Sequence, residues 1–216
     1  MVSYLTISRD AEAEIEVKRS RFLCTLRRVE DEPSARAVVE ALRKQHWDAR
    51  HHCSCLRIKQ DPLHPDVERS SDDGEPADTA GAPMLEVVRG YAGEGVSDVV
   101  AVVTRWFGGT LLGAGGLVRA YGDAVRAALD EAGTLRRTLV HEHLLTLDHA
   151  DAGRVESDLR ARGVSVIGTE YAARATLRLG VPPEQEQRVA ALVAELTAGR
   201  AETQVVGERW VDSLDA

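Results

Sequence analysis

The chain has 216 residues, 44% of them hydrophobic and 29% charged, which is enough apolar material for one or two globular domains. Its 3 cysteines are an odd number and argue against a secreted framework of paired disulfides. The net charge is −8, with 19 basic and 22 acidic side chains in residues 1–138, and 8 and 13 in residues 139–216. Neither half can therefore bind nucleic acid through overall positive charge. No apolar run approaches the roughly 20 residues of a membrane-spanning helix, so we expect a cytoplasmic protein that does not associate with membranes.

Two stretches near the N-terminus alternate between apolar and polar residues. Residues 11–18 predict a half-exposed strand, and a second alternating run begins at Phe22. Arg19 and Arg21 lie between these runs at a spacing of two residues, so we expect their side chains to share one strand face. They are candidate phosphate contacts, although a solvated strand end explains either arginine more simply.

Histidines and cysteines cluster at the start of a predicted strand over residues 51–58, which follows a helix that begins at Pro33. His51, His52, Cys53 and Cys55 are residue types that bind zinc, but zinc requires four ligands that converge in a tetrahedron. Successive strand residues point to opposite faces, so we predict no metal site and interpret the cysteines as small buried residues. His51 stays a candidate acid, base or anion contact, because histidine titrates near neutral pH.

A long polar segment occupies residues 60–81 and includes Pro62. A loop of this length in a compact domain is usually functional or disordered. Asp72, Asp73 and Glu75 carry carboxylates that suit a hard cation, but their spacing fits no calcium loop, so a solvated loop is favoured. Gly81 then begins a predicted helix.

The next segment predicts a buried strand, a Gly-rich loop and a helix in series. Residues 99–103 are mostly valine, and apolar residues recur at helical spacing from residue 114 to residue 133. Five glycines fall within nine positions between them. The unpaired N–H groups of a helix start attract an anion, whereas a tight structural turn explains the glycines equally well. Arg105 and Arg119 flank the loop and favour the anion, although both suit a solvated surface.

The loop does not have the sequence of known phosphate-binding loops. It lacks the Lys-Ser or Lys-Thr of the nucleotide triphosphatase loop, and Val118 stands where the dinucleotide fingerprint has its third glycine. We therefore expect no nucleotide cofactor.

The second half predicts a regular alternation of strands and helices. Apolar alternation and helical stripes, interrupted at Gly163 and Gly199, give the order βαββαβ. This order is that of the ferredoxin-like fold. The fold hosts many functions and does not by itself identify one.

Three stretches resemble motifs of the YigZ/IMPACT family, and they occur in the family's order. Residues 104–121 (TRWFGGTLLGAGGLVRAY) resemble its Gly-rich signature, residues 73–84 (DGEPADTAGAPM) its DGEP-x-x-TAG-x-P-M motif, and residues 48–53 (DARHHC) its Ala-x-His-x-Cys strand. Trp106 stands where the family usually has Tyr, and Arg50 where Thr is common. The resemblance extends over essentially the whole chain.

The resemblance implies an α+β protein of two domains. Residues 1–138 would adopt the fold of ribosomal protein S5 domain 2, and residues 139–216 a ferredoxin-like domain similar to one in translation elongation factors. The eukaryotic relative IMPACT regulates translation through a protein partner in starvation signalling. We therefore expect a translation-associated regulator that binds RNA, a ribosomal surface or a translation-related protein.

The resemblance also implies that the 60–81 loop and the Gly-rich loop lie together, so we expect one shared site. Trp106 and Phe107 are candidates for stacking on bases, although burial is the commoner fate of both. The full set of candidate nucleic-acid or anion contacts is Arg19, Arg21, His51, Arg105, Trp106, Phe107, Gly108, Gly109, Gly113, Gly115, Gly116 and Arg119.

Two alternatives stay open. One alternative is an enzyme that acts on a small ligand carrying a phosphate or a carboxylate. His51 and either Asp73 or Glu75 would be its acid and base, beside the Gly-rich loop. The sequence contains no recognisable pair of a nucleophile and a base, so an enzyme is the less favoured function. The other alternative is a protein-interaction module that uses the exposed sheet of the second domain.

Overall fold

A computed structural model describes residues 2–60 and 64–213. Pro62, in the predicted polar loop, lies outside these ranges. The described chain forms two compact units, one of residues 4–136 and the other of residues 137–213 together with residues 2–3. The domain assignment 1–138 and 139–216 stays a prediction. In the described ranges, every helix is too short or too polar to cross a bilayer.

The first unit is built on an antiparallel sheet of five strands. The sheet has the order β2–β3–β6–β4–β5, so β6 is central. Its valine-rich sequence suits that position, because a central strand covered on both faces is apolar throughout. The strands are β2 (Ala11–Val17), β3 (Ser20–Arg28), β4 (His51–Ile58), β5 (Val67–Ser71) and β6 (Val99–Trp106).

Helices cover both faces of this sheet. Helices α2 (Gly81–Gly90) and α3 (Ala114–Ala132) pack on one face, over a core that includes Phe22, Cys53 and Tyr121. Helix α1 (Glu32–Gln45) packs on the other face, over a smaller core centred on Val100 and Val102. Because neighbouring residues of β6 point to opposite faces, this strand supplies both cores.

Three details differ from the sequence prediction. The chain turns between β2 and β3 at Lys18 and Arg19, both with positive φ, so Arg19 lies in a turn and does not share a strand face with Arg21. Strand β5 forms within the predicted 60–81 loop by pairing with β4. A strand at the N-terminus, β1 (Ser3–Ile7), was not predicted.

The second unit has the predicted βαββαβ order, and the α+β fold is confirmed. Strand β7 pairs antiparallel with both β9 and β10, and β8 pairs with β9, so the strands lie in the order β10–β7–β9–β8. Its core is formed by one face of the sheet and both helices. The elements are β7 (Thr134–Leu147), α4 (His149–Ala161), β8 (Ser165–Tyr171), β9 (Ala175–Val181), α5 (Glu186–Thr197) and β10 (Thr203–Asp212). Strand β7 begins ten residues before the predicted Leu144.

The DGEP segment (residues 73–76) is fixed to the start of α2 by the preceding residue, Asp72. Its Oδ1 accepts hydrogen bonds from the N–H groups of Ala80 (3.0 Å) and Gly81 (2.8 Å), and its Oδ2 accepts one from Asp78 (2.9 Å). The helix cap Ala80 has no side-chain hydrogen bond of its own, so Asp72 supplies the acceptor that an N-cap side chain usually gives. Partial burial raises the pKa of Asp72, but these backbone donors outweigh burial and leave that pKa lowered.

Substitution Asp72→Asn should lower the free energy of unfolding by about 1–3 kcal/mol, because one carboxamide oxygen cannot replace two charged acceptors. A lowered pKa stabilises the fold above the unfolded value of about 3.9 and loses that effect as the pH falls through the folded value. The difference between wild type and variant in urea unfolding should therefore shrink below about pH 4. Asp78→Asn, in the same segment, is the matched control. If both variants lost the same free energy of unfolding, Asp72 would not have the capping role that we assign to it.

Candidate functional site

An ion pair between Arg105 and Glu75 lies at the centre of the candidate site. Arg105 Nη1 donates to Glu75 Oε1 at 2.5 Å, and the two side chains are only 7% and 4% exposed. Tyr121 on α3 donates its hydroxyl to the same oxygen at 2.7 Å. Burial, Cys53 and Glu75 raise the pKa of Tyr121, so the phenol keeps its proton and acts as donor. The pair thus joins the end of β6, the DGEP segment and α3.

His51 faces the same pair from the neighbouring strand. It is directly opposite Arg105 in the antiparallel register of β4 and β6. Its Nδ1 lies 2.9 Å from the carbonyl oxygen of Asp73, which fixes the ring with Nδ1 as donor, and its Nε2 lies 4.0 Å from Glu75 Oε1. Nε2 then faces the centre of the site and can exchange a hydrogen bond with a ligand there.

Asp73 takes a different position from the one expected of an acid–base residue. Its Oδ1 accepts from Arg43 Nη2 at 2.6 Å and its Oδ2 from the N–H of His52 at 2.6 Å. Its carboxylate therefore serves to hold the loop against α1 and β4. Of the two predicted carboxylate candidates, Glu75 faces His51 and Asp73 contributes only its carbonyl group.

The first half of the Gly-rich loop is a tight structural turn. A Cβ atom on Gly108 would lie 2.0 Å from the backbone carbon of Arg19 and 2.2 Å from its oxygen. The N–H of Gly108 donates to Ser20 Oγ at 3.0 Å. No side chain fits there, and that amide is not available to a ligand.

The second half of the loop is open. Gly113 has φ of 74° and caps α3, and its carbonyl accepts from the N–H of Leu117 at 3.0 Å. The first three amides of the helix, at residues 114–116, have no hydrogen-bond partner among the described residues. They give this end of α3 a partial positive charge. Gly115 is exposed, and a Cβ on it would meet no atom within 4 Å.

A pocket of about 360 Å³ connects these groups. Its lining includes His51, Glu75 and Arg105 together with Gly113 and Ala114 at the start of α3. Two large apolar side chains in its lining are exposed, Phe107 by 47% and Leu111 by 83%. A ligand with one anionic end and one flat apolar part would match this lining.

Two predicted contacts lie on the opposite face of the sheet from this pocket. Trp106 alternates with Arg105 along β6 and therefore points toward α1, where its Nε1 donates to Asp48 Oδ2 at 2.9 Å. Arg21 lies 4.7 Å above the Trp106 ring and pairs with Glu14 at 2.8 Å. Strand alternation therefore separates these two side chains from Arg105, and the structure does not bring the three predicted contacts onto one surface.

The other predicted arginines are placed separately. Arg19 is exposed beside the loop, where its Nη2 donates to Thr110 Oγ1 at 3.4 Å. Arg119 lines a different groove, of about 460 Å³, between α2 and α3. Arg105 is buried and neutralised by Glu75, so it is not the free cation that the sequence suggested. Gly109 in the loop, and Gly115 and Gly116 at the start of α3, do not line the pocket.

The sequence prediction missed several lining residues, among them Leu111 and Arg50. Arg50 is exposed at the pocket and forms no ion pair with any described residue. It directly precedes the strand that carries His51, and its position in the motif, where Thr is common, was the available signal.

The cysteines of β4 are buried thiols. Burial raises the pKa of Cys53 and of Cys55 to about 12 each, and Cys53 Sγ donates to the Asp72 carbonyl at 3.0 Å. Both pack in the core beneath α2 and α3. They remain protonated at neutral pH and are poor metal ligands or nucleophiles.

Substitution of glycine by alanine should have opposite effects on stability in the two halves of the Gly-rich loop. Gly108→Ala should lower the free energy of unfolding by about 3 kcal/mol or more, because the new methyl group overlaps backbone atoms. Gly115→Ala should be neutral or stabilise by up to about 1 kcal/mol, since alanine favours the helix. Chemical denaturation of both variants measures the difference. A tolerated Gly108→Ala would show that the turn is not closed.

Comparison with known proteins identifies the family to which the chain is similar. Residues 18–129 match the Impact N-terminal domain, and residues 145–200 match a domain of unknown function (DUF1949). IMPACT family member YvyE of Bacillus subtilis (strain 168) is 36% identical over 93% of this chain and 89% of its own length. YigZ of Escherichia coli (strain K12) is 36% identical over 96% of this chain and 100% of its own. A crystal structure of a hypothetical protein is 35% identical, with a TM-score of 0.64 over 95% of this chain and 98% of that one. The chain therefore belongs to the IMPACT family.

Proposed function

We propose that this protein is a translation-associated regulator that binds single-stranded RNA, or an RNA segment of a ribosomal surface, by taking one nucleotide into the pocket between the DGEP segment and α3. Membership of the IMPACT family supports the connection with translation. The pocket that combines the open start of α3 with Arg50, Phe107 and Leu111 is the observation that supports RNA.

The phosphate would bind at the start of α3. The free amide of Ala114, at the start of α3, and the unpaired Arg50 both line the pocket, where they provide a donor and positive charge. Helix N-termini are common phosphate sites because their amides point at the ligand and the helix dipole favours negative charge. These are local charges, so a chain with a net charge of −8 can still make this contact.

The base would lie against the exposed apolar side chains. Phe107 offers an aromatic face for stacking, a contact worth about 1–3 kcal/mol per base. His51 Nε2 and the second oxygen of Glu75, which bonds none of the described residues, are acceptors for amino groups on a base. Arg105 holds Glu75 in place and does not itself meet the phosphate.

Catalysis on a small ligand is the second candidate, and the approach of His51 Nε2 to Glu75 is the observation that favours it. The described lining contains no serine, threonine, cysteine or lysine. His51 and Glu75 are the lining residues best suited to a reaction, and their pairing favours acid–base chemistry.

Binding of a short single-stranded RNA oligonucleotide, measured by fluorescence anisotropy, tests the proposal. The logarithm of affinity should fall with the logarithm of salt concentration with a slope of about −0.7 to −1.4, because only one or two phosphates of a single strand are neutralised. Arg50→Glu should weaken binding about tenfold or more, and Phe107→Ala by a similar factor.

Arg36→Glu is the matched control. Arg36 is exposed and unpaired among the described residues, and it lies on α1, on the other face of the sheet. It should leave the affinity unchanged. Absence of RNA binding, or equal effects of Arg36→Glu and Arg50→Glu, would contradict the proposal and favour a protein partner.

A further inference from the structure

Two histidines of the second unit share one face of β7. His141 and His143 are two residues apart, opposite the buried Val181 and Leu179 of β9. Their side chains therefore lie on the helix-covered face of the sheet. Glu186, the first residue of α5, reaches the same place.

The three side chains form a compact set of metal-binding atoms. Glu186 Oε1 lies 2.5 Å from His141 Nδ1 and 3.4 Å from His143 Nε2. One ligand atom from each residue lies within 4.8 Å of the others. Tetrahedral zinc with bonds of about 2.0–2.1 Å separates its ligand atoms by roughly 3.3 Å, so only small side-chain movements are needed.

His143 has an unsatisfied nitrogen directed into this cluster. The residue is 5% exposed, and its Nε2 forms no hydrogen bond with any described residue. A buried nitrogen without a partner is costly. A bound cation beside Glu186 would satisfy it.

The other ring nitrogens are already held. His143 Nδ1 lies 3.2 Å from Thr203 Oγ1, and His141 Nε2 lies 3.2 Å from Glu208 Oε1. Histidines that ligate metals usually present their second nitrogen to a carboxylate or another oxygen in this way, which orients the ring. Two residues of β10 thus hold both imidazoles so that each can bind a metal through its other nitrogen.

We propose that His141 Nδ1, His143 Nε2 and a carboxylate oxygen of Glu186 form a binding site for a divalent transition metal of the Zn²⁺ class. Two imidazoles and a carboxylate suit zinc, cobalt or nickel. Three protein ligands leave a fourth position for water or for an anionic group of a ligand. The site lies outside the proposed RNA pocket and does not depend on it.

Calorimetric titration of the metal-free, untagged protein with Zn²⁺ tests the site. We expect one Zn²⁺ per chain, with a dissociation constant in the micromolar range or tighter. His141→Ala and Glu186→Gln should each weaken binding by at least about tenfold. Glu184→Gln, an exposed carboxylate just before α5, should leave it unchanged.

Absorption spectra with Co²⁺ provide a second readout. Nitrogen and oxygen ligands give d–d bands without the intense thiolate charge-transfer band that binding to Cys53 or Cys55 would add. If Glu186→Gln does not fold, Glu208→Gln at an exposed position should still weaken Zn²⁺ binding about tenfold. Absence of stoichiometric binding, a thiolate spectrum, or equal affinity in the variants would overturn the site and leave an ordinary His–Glu ion pair.

Discussion

The buried ion pair between Arg105 and Glu75 is the interaction on which the first unit's site depends. Both charges are removed from water, so their attraction must offset a large desolvation penalty, and the Tyr121 hydroxyl helps by satisfying the same oxygen. The pair connects the end of the central strand to a loop and to a long helix. Removing either partner would leave an uncompensated charge in the core and separate the walls of the pocket.

The pocket gives an acidic chain a local positive potential for the anionic ligand that we propose. The Gly-rich loop serves two purposes, since Gly108 closes against the backbone of Arg19 while Gly113 leaves the start of α3 open. Positive potential therefore arises from backbone amides and one exposed arginine rather than from a basic surface. Binding through such a site depends on how one group fits, which suits a regulator that recognises a short segment.

Sequence periodicity was sufficient for most of the fold because strand alternation and helical spacing are local properties. It predicted β2, β4, β6 and all five helices, whereas β5 was missed because VERSS has little apolar alternation and forms only by pairing with β4. Proximity of the DGEP and Gly-rich segments came from family resemblance. The pairing of Arg105 with Glu75, thirty residues away, could not be predicted, because partner choice is set by the tertiary structure.

The same limitation explains the misplaced contacts. Trp106 directly follows Arg105, but one step along a strand reverses the face, and Arg21 is opposite Trp106 in the register of β3 and β6, so it lies on that other face too. The histidine pair of β7 carried a signal, an i, i+2 spacing, but its third member Glu186 is forty-three residues from His143. Arg50 was noted only as a departure from the family's motif.

A double-mutant cycle on the central ion pair measures the account's main claim most directly. Arg105→Met and Glu75→Gln should each lower the free energy of unfolding by about 3–5 kcal/mol, because each leaves a buried charge unpaired. The double variant should lose at least about 2 kcal/mol less than the sum of the two. Losses that add to within about 0.5 kcal/mol would show that the two residues act independently and would contradict the account.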